Sequence, residues 1–254
     1  MEQENKQIFD FDLKMIADFF RELDRQGPGG VEQTLRALEF VPDRPGLRIA
    51  DIGCGTGGQT VTIARNRDCT ITAVDLLPEL LEEFRTRIKK AGLENRVTAI
   101  QGSMDALPFS PGEFDVIWAE GSIYNIGFER GLREWRLKPG GIIAVTECSW
   151  LSGARLASKF ISDYFPDIDS PSGKLRILEE AGYAPLAHFA LPEHCWTENY
   201  FAHASARIPG FLKQYGHSEK ALLLAEMQKN EIAHYEKYKA YYGYVFYIGQ
   251  KQEE

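Results

Sequence analysis

The chain has 254 residues, enough for one sizeable α/β domain with an elaboration or for two small domains. Its composition, 44% hydrophobic and 26% charged, is typical of a soluble globular protein, and its net charge of −8 without a basic stripe argues against binding to nucleic acid. No apolar run approaches the roughly 20 residues of a membrane helix, and the polar, acidic start is unlike a secretory signal, so we expect no membrane association.

The four cysteines are scattered along the chain, at positions 54, 69, 148 and 195. They show no Cys-x-x-Cys spacing, so neither a zinc site nor a disulfide framework is indicated. We therefore expect a cytoplasmic, reduced protein that holds no metal.

Apolar residues at helical spacing predict two helices at the start of the chain, separated by the helix-breaking segment 26–30. Five strands are predicted next, at 47–52, 69–75, 97–101, 114–119 and 141–147, with helices between most of them. This βαβ alternation predicts a parallel sheet with helices on both faces.

Beyond residue 150 the pattern changes. Helices are predicted at 151–164 and 174–181, a sixth strand at 185–191, two more helices within 197–240 and a last strand at 244–249. A helical insert followed by a returning strand suggests a cap over the ligand-binding edge of the sheet.

Three closely spaced glycines, Gly53, Gly55 and Gly57, follow the first strand and lead into a helix. Glycine lets the backbone turn tightly and approach a ligand closely. Asp75 ends the next strand, where a carboxylate can accept hydrogen bonds from both hydroxyls of a ribose. Because neighbouring parallel strands end at the same sheet edge, these residues predict a nucleoside-binding crevice.

The glycines alone do not identify the nucleoside. Gly53, Gly55 and Gly58 also satisfy the dinucleotide pattern G-x-G-x-x-G, so a nicotinamide-dependent oxidoreductase is an alternative. Asp51, just before the glycines, argues against it, because a carboxylate there would repel a pyrophosphate. S-adenosylmethionine carries a sulfonium and an ammonium and no phosphate, so an acid suits it better. A role for Asp51 in capping the turn is the structural alternative.

Later segments add a family resemblance. In chain order they are Ala50-Asp-Ile-Gly-Cys-Gly-Thr-Gly57, Ala73-Val-Asp75, Lys90-Ala-Gly-Leu-Glu-Asn-Arg-Val97, Gln101-Gly-Ser-Met-Asp-Ala-Leu-Pro-Phe109, Phe114-Asp-Val-Ile-Trp-Ala-Glu120 and Leu137-Lys-Pro-Gly-Gly141. As an ordered set over about residues 45–150, they resemble a class I S-adenosylmethionine-dependent methyltransferase. The resemblance is to the small-molecule branch that includes the quinone-biosynthesis methyltransferases.

The resemblance implies a Rossmann-like α/β fold with a seven-stranded, mostly parallel sheet in the order 3-2-1-4-5-7-6, the seventh strand antiparallel. With no linker, repeat or low-complexity tract in the sequence, we expect a single domain over 1–254, with an N-terminal helical lid at 1–44 and a cofactor-binding core at 45–150. The C-terminal part, 151–254, completes the sheet and carries the helical insert 197–240. The implied activity is in-line transfer of a methyl group from S-adenosylmethionine to a small-molecule acceptor. A non-catalytic S-adenosylmethionine-binding protein is a second alternative, and a homodimer is the candidate assembly.

The resemblance also implies roles for residues near the glycines. Asp51 and the backbone amides around Gly53 and Gly55 would hold the methionine moiety, with Gly57 completing the loop. Asp75 would bind the ribose hydroxyls.

The remaining implied contacts lie further along the sheet edge. Leu76 would pack against the adenine, which Ser103 and Met104 would border. Ser103 stands where relatives usually carry Asp, and a serine hydroxyl can still pair with the adenine amino group. Glu120, at the tip of the fourth strand, would lie at the methyl-transfer end.

Glu120, Tyr124 and His194 are the candidate general bases for an acceptor that must lose a proton. Each has a structural alternative: an acid that bonds to loop amides, a packed aromatic and a surface histidine. The tyrosines at 235, 238, 241, 242 and 244 could pack together or line an apolar acceptor pocket. The sequence does not identify the acceptor or the atom that is methylated.

Overall fold

The structure is a computed structural model, and it describes residues 12–152, 165 and 167–253. The helix predicted at 151–164 lies outside the described residues except for its first two positions, which form a bend.

Seven strands form one sheet in the order β3-β2-β1-β4-β5-β7-β6. The neighbouring pairs among β1 to β5 are parallel, whereas β7 is antiparallel to both β5 and β6. The predicted order and strand directions are therefore confirmed. The strands are β1 Leu47–Ile52, β2 Cys69–Asp75, β3 Val97–Gln101, β4 Val116–Ala119, β5 Ile142–Trp150, β6 Tyr183–Ala190 and β7 Tyr242–Lys251.

Helices cover the sheet and form the cap, and their ends follow local signals. Pro78 occupies the first turn of its helix, and Gly92, in the left-handed region, ends it. The helices are α1 Leu13–Phe20, α2 Val31–Leu38, α3 Gly58–Asn66, α4 Pro78–Ala91, α5 Phe128–Glu134, α6 Pro171–Glu180, α7 Ala202–Gln214 and α8 Glu219–Tyr238. Shorter segments are the 3-10 turn Ile123–Asn125, the α-helical turn His194–Trp196 and the π-helical turn Thr197–Phe201.

Alternate residues of the strands enter two apolar cores, one on each face of the sheet. In β1, Leu47 and Ile49 belong to one core, whereas Ala50 and Ile52 belong to the other. The first core also contains residues of α1, α2, α7 and α8. The N-terminal helices and the cap therefore pack on the same side of the sheet.

The N-terminal helices also contact the cap directly. Arg207 of α7 donates a hydrogen bond to the Asp18 carbonyl in α1 at 3.1 Å, and the Tyr215 hydroxyl donates to the Asp18 carboxylate at 2.7 Å. These contacts fix α1 against the cap, beside the carboxyl ends of the parallel strands. Over the described residues, no helix has the length and apolar character to cross a membrane.

Candidate functional site

A cavity of about 280 Å³ lies at the carboxyl ends of β1, β2, β3 and β4. This is the edge where open parallel sheets bind ligands. Two parts of its lining differ in chemistry. We call the first the glycine-loop end; it comprises Gly53, Cys54, Gly55, Asp75, Leu76, Ser103 and Met104. We call the second the aromatic end; it comprises Tyr124, Phe165, Tyr200, Gln228, Glu231 and Tyr244.

The Asp75 carboxylate is held in place by backbone amides at the glycine-loop end. Gly55 donates its N–H to one carboxylate oxygen at 2.8 Å, and Leu77 donates to the other at 2.9 Å. Burial raises the pKa of Asp75, and these hydrogen bonds oppose that shift. Each carboxylate oxygen retains a lone pair for a further donor, so the acid is oriented and still able to accept hydroxyl hydrogens.

Two of the three glycines are required for different reasons. Gly55 has a φ of +54° and lies beneath the Gln26 side chain, which occupies the place of a Cβ. Gly57 has a φ of +82°, and the Phe84 ring fills the place of its Cβ. Gly57 is outside the cavity lining, so its role in the structure is the close packing of α3 against α4.

The segment 24–30, which we call the strap, covers the glycine loop. Gln26 accepts from the Thr56 N–H and donates to the Thr56 hydroxyl, both at 3.0 Å. Asn199 of the cap donates to the Gly29 carbonyl at 2.7 Å. The strap therefore joins the glycine loop to the cap, and its residues Arg25, Gln26, Gly27 and Pro28 line the cavity.

Asp51 lies outside the cavity lining, in contrast to the expectation that it meets the ligand. Its side chain is fully buried and accepts hydrogen bonds from the Thr60 hydroxyl and the Gln59 amide. Burial raises the pKa of Asp51 to about 7, against the effect of these two donors. Because Gln59 itself lines the cavity, Asp51 can influence the site indirectly, by orienting the Gln59 side chain.

Glu120 lines the cavity, and its carboxylate is the centre of a buried network. Arg25 pairs with one oxygen at 2.6 Å. The other oxygen accepts from the Thr34 hydroxyl at 2.7 Å and from the Trp118 indole at 2.9 Å. The Arg25 and Glu120 side chains are only 10% and 3% exposed. This network fastens the strap and α2 to the tip of β4.

Leu76, Ser103 and Met104 line the glycine-loop end, as the sequence suggested for neighbours of one ligand. Leu76 leaves 45% of its surface accessible. Ser103 donates to the Asp105 carboxylate at 3.2 Å. The three residues thus form a partly apolar wall beside Asp75.

At the aromatic end, the Phe165 ring lies between two tyrosines, 6.0 Å from Tyr124 and 6.3 Å from Tyr244 between ring centroids. Across the same end, the Tyr200 hydroxyl lies 3.4 Å from the Gln228 side-chain oxygen and 3.5 Å from a Glu231 carboxylate oxygen. Sequence analysis missed Tyr200, Gln228 and Glu231. The available signal for the last two was that Gln228 and Glu231 are polar residues in the stripe of α8 that also contains Leu224 and Tyr235.

The structure brings two of the three candidate bases into the cavity. Glu120 and Tyr124 are there, whereas His194 is outside the lining, on the turn that precedes the π-helical segment. Enclosure by the protein raises the pKa of Tyr124 to about 12, with a further contribution from Glu231 and Glu147. Of the C-terminal tyrosines, Tyr244 lines the cavity, whereas Tyr235 stacks on Trp196 with 4.4 Å between ring centroids.

Residues 49–141 match the model of a family described as "Methyltransferase domain". The chain is 30% identical over 128 residues to "Methyltransferase GfsG" of Streptomyces halstedii, covering 49% of this chain and 46% of that protein. It is 31% identical over 118 residues to the "Ubiquinone/menaquinone biosynthesis C-methyltransferase UbiE" of Shewanella frigidimarina, covering 44% and 47%. These matches thus span about half the length of each relative.

In overall fold, the chain is similar to a Geobacter sulfurreducens protein solved as a "SAM-dependent methyltransferase" in complex with S-adenosyl-L-homocysteine. The TM-score is 0.80 with 19% identity, over 94% of this chain and 98% of that one. The sheet order and the glycine loop define a Rossmann-like nucleoside-binding domain. The family match covers residues 49–141, and the sheet order is the one expected for the class I S-adenosylmethionine-dependent methyltransferase fold.

Proposed function

We propose that this protein transfers a methyl group from S-adenosylmethionine to a small-molecule acceptor by in-line displacement. The observation that carries the proposal is that Asp75 and the aromatic end belong to one cavity. A nucleoside held at the glycine-loop end would therefore share an enclosed space with an acceptor held among the aromatic rings.

The residues of the glycine-loop end fit the nucleoside. Asp75, oriented by Gly55 and Leu77, would accept from the ribose hydroxyls. The accessible Leu76 side chain would pack against the adenine, with Ser103 and Met104 at its border. The carboxylate and the apolar wall at this end are therefore already in position for the nucleoside.

The methionine moiety would lie beside the amides of Gly53 and Gly55. Gln59 and Gln26 border this part of the cavity. The Gln26 amide is bonded to Thr56, and the Gln59 nitrogen is bonded to Asp51 and the Cys54 carbonyl, so the Gln59 side-chain oxygen would accept from the ammonium. Asp51 would contribute indirectly, because its carboxylate accepts from the Gln59 amide and so fixes the orientation of that side chain.

The strap disfavours the alternative of a nicotinamide dinucleotide. A pyrophosphate would need the amides at the start of α3. The Thr56 N–H is already bonded to Gln26, and the Thr56 hydroxyl donates to the carbonyls of Leu23 and Asp24. Carbonyl oxygens at this position would repel a phosphate, whereas a ligand without phosphate does not use it.

When bound, S-adenosylmethionine supplies a methyl group already activated by its sulfonium. The residues of the cavity would then align acceptor and methyl carbon, which can lower a barrier by about 7–11 kcal/mol. Glu120 is engaged by three donors, so we assign it to fixing the strap beside the cofactor rather than to taking a proton. Tyr124 would contact the acceptor, and His194 has no role in this proposal.

The test combines ligand binding with product detection. S-adenosylhomocysteine and NAD are titrated calorimetrically, and methyl-labelled S-adenosylmethionine is incubated with fractionated cell metabolites. We expect binding of S-adenosylhomocysteine and not of NAD, together with a labelled small molecule that the Asp75→Ala variant does not form. Binding without any labelled product would support the non-catalytic alternative. The cytoplasmic location and the homodimer remain predictions.

A further inference from the structure

The aromatic end contains a carboxylate to which the proposed methyl transfer assigns no role. Glu231 of α8 lines the cavity together with Tyr124, Phe165, Tyr200 and Tyr244. Carboxylates are costly in a low-dielectric, aromatic environment unless a donor or a cation meets them. The groups that contact Glu231 therefore indicate which class of ligand this end of the cavity binds.

The described residues provide Glu231 with little compensation. Within the described residues, Glu231 accepts one hydrogen bond, from the Tyr200 hydroxyl at a long 3.5 Å, and the same hydroxyl is shared with the Gln228 oxygen at 3.4 Å. Within 12–152, 165 and 167–253, no Lys, Arg or His lies within 4.0 Å of the Glu231 carboxylate. Burial accordingly raises the pKa of Glu231 to about 7.

The surrounding charges also favour a cation. The negative charges of Glu231 and Glu147 raise the pKa of Tyr124, in addition to the effect of burial. The same two acids act in the same direction on Tyr244. Glu147 is paired with the buried Lys174 at 3.7 Å, so Glu231 is the acid here without a cationic partner among the described residues. A positive group placed among these rings would meet the charge of Glu231 and aromatic faces, which attract cations. An anionic acceptor would be repelled.

We infer that the aromatic end binds an amine acceptor that arrives as an ammonium ion, with Glu231 as its carboxylate partner. This inference rests on the proposed function, since it names the acceptor class of the same site. The four rings provide the apolar walls, and Gln228 provides an amide oxygen for a second N–H.

The carboxylate also solves a chemical requirement of the reaction. An ammonium has no lone pair, so one N–H proton must first pass to the Glu231 carboxylate. The nitrogen lone pair then forms the bond to the methyl carbon as the carbon–sulfur bond breaks. The electrons of the carbon–sulfur bond stay on sulfur, which becomes a neutral thioether. The product is an N-methylated ammonium, and Glu231 returns its proton to solvent.

Matched probes test the inference without knowledge of the natural acceptor. With saturating S-adenosylhomocysteine, calorimetry compares 2-phenylethylamine, its N,N,N-trimethyl cation and the neutral isostere 2-phenylethanol. We expect both cations to bind at least about tenfold more tightly than the alcohol. Glu231→Gln should remove most of this preference, while Glu226→Gln, an exposed change of equal charge on the same helix, should retain it.

Three results would overturn the inference: equal binding of alcohol and amine, an unchanged preference in Glu231→Gln, or no binding of any probe. The unaltered affinity of Glu231→Gln for S-adenosylhomocysteine serves as the check that the variant is folded. The titrations are repeated without S-adenosylhomocysteine. Failure of that ligand to bind would count against the proposed function, whereas the cation preference would still be measured.

Discussion

The two ends of the cavity are built in different ways. At the glycine-loop end, the functional groups lie within residues 51–104, and backbone amides from the same stretch hold Asp75 in place. At the aromatic end, the groups come from the loop after β4, from residue 165, from the π-helical turn, from α8 and from β7. There, side chains contact one another, and Glu231 has one long hydrogen bond in the described structure. The comparison suggests that the first end is fixed for one ligand, whereas the second derives its selectivity from a few replaceable side chains.

The largest effect on stability is expected from the ion pair that fastens the strap to the tip of β4. Arg25→Met removes the partner of the buried Glu120 carboxylate and should lower the free energy of unfolding by about 3–5 kcal/mol. Lys239→Met is the control, because its pairs with Glu193 and Glu236 are exposed and screened by solvent, and should contribute much less. Urea unfolding measures both. Equal losses in the two variants would show that the Arg25–Glu120 pair does not anchor the strap.

The second prediction concerns the uncompensated acid at the aromatic end. The pKa of Glu231 is raised to about 7 in the folded state, so the folded state binds more protons than the unfolded state between about pH 4 and pH 7. Stability from this group therefore falls as the pH rises through that window. Glu231→Gln removes the effect and should be more stable than the wild-type protein by about 1–3 kcal/mol near pH 8, and by much less near pH 5.

Asp51 and Glu147 also have pKa values raised to about 7 by burial, so the wild-type curve alone does not isolate Glu231. The measurement is the difference between variant and wild-type unfolding free energies as a function of pH. A difference that stays constant over the window would contradict the account of an acid that lacks compensation.

The smallest effect is expected from the apolar wall beside Asp75. Leu76→Ala removes surface that would pack against the adenine and leaves every hydrogen bond of Asp75 intact. We expect a loss of about 1 kcal/mol, or roughly fivefold in S-adenosylhomocysteine affinity, by calorimetry. Leu186→Ala, at a similarly exposed leucine of β6 outside the cavity, should leave the affinity unchanged. Equal affinities of the two variants for S-adenosylhomocysteine would show that the adenine does not pack against Leu76.

The contrast between the ends also explains what the sequence could predict. Strand periodicity and the glycine spacing were enough for a parallel sheet and for the position of Asp75, because these depend on short, local patterns. The strand order was implied by the family resemblance. Asp51 was expected in the cavity because its place in the chain is beside the glycines. The strand alternation instead turns it inward to Thr60 and Gln59, a direction that spacing alone does not reveal.

The aromatic end could not be predicted in the same way. Tyr200, Gln228 and Tyr244 are far apart in sequence and meet only through the packing of the cap on the sheet. A π-helical turn at Thr197–Phe201 sets the position of Tyr200, and neither helical nor strand periodicity anticipates such a turn. His194 was chosen for its chemistry, yet the neighbouring Cys195 and Trp196 occupy the core and leave it outside the cavity.

The most direct measurement is the calorimetric affinity for S-adenosylhomocysteine of three proteins: wild type, Asp75→Ala and Glu231→Gln. Loss of charged hydrogen bonds to two hydroxyls should weaken binding by about 100-fold in Asp75→Ala, whereas Glu231→Gln should match the wild type. An unchanged affinity in Asp75→Ala, or an equal loss in both variants, would contradict a cavity with one end for the nucleoside and another for the acceptor.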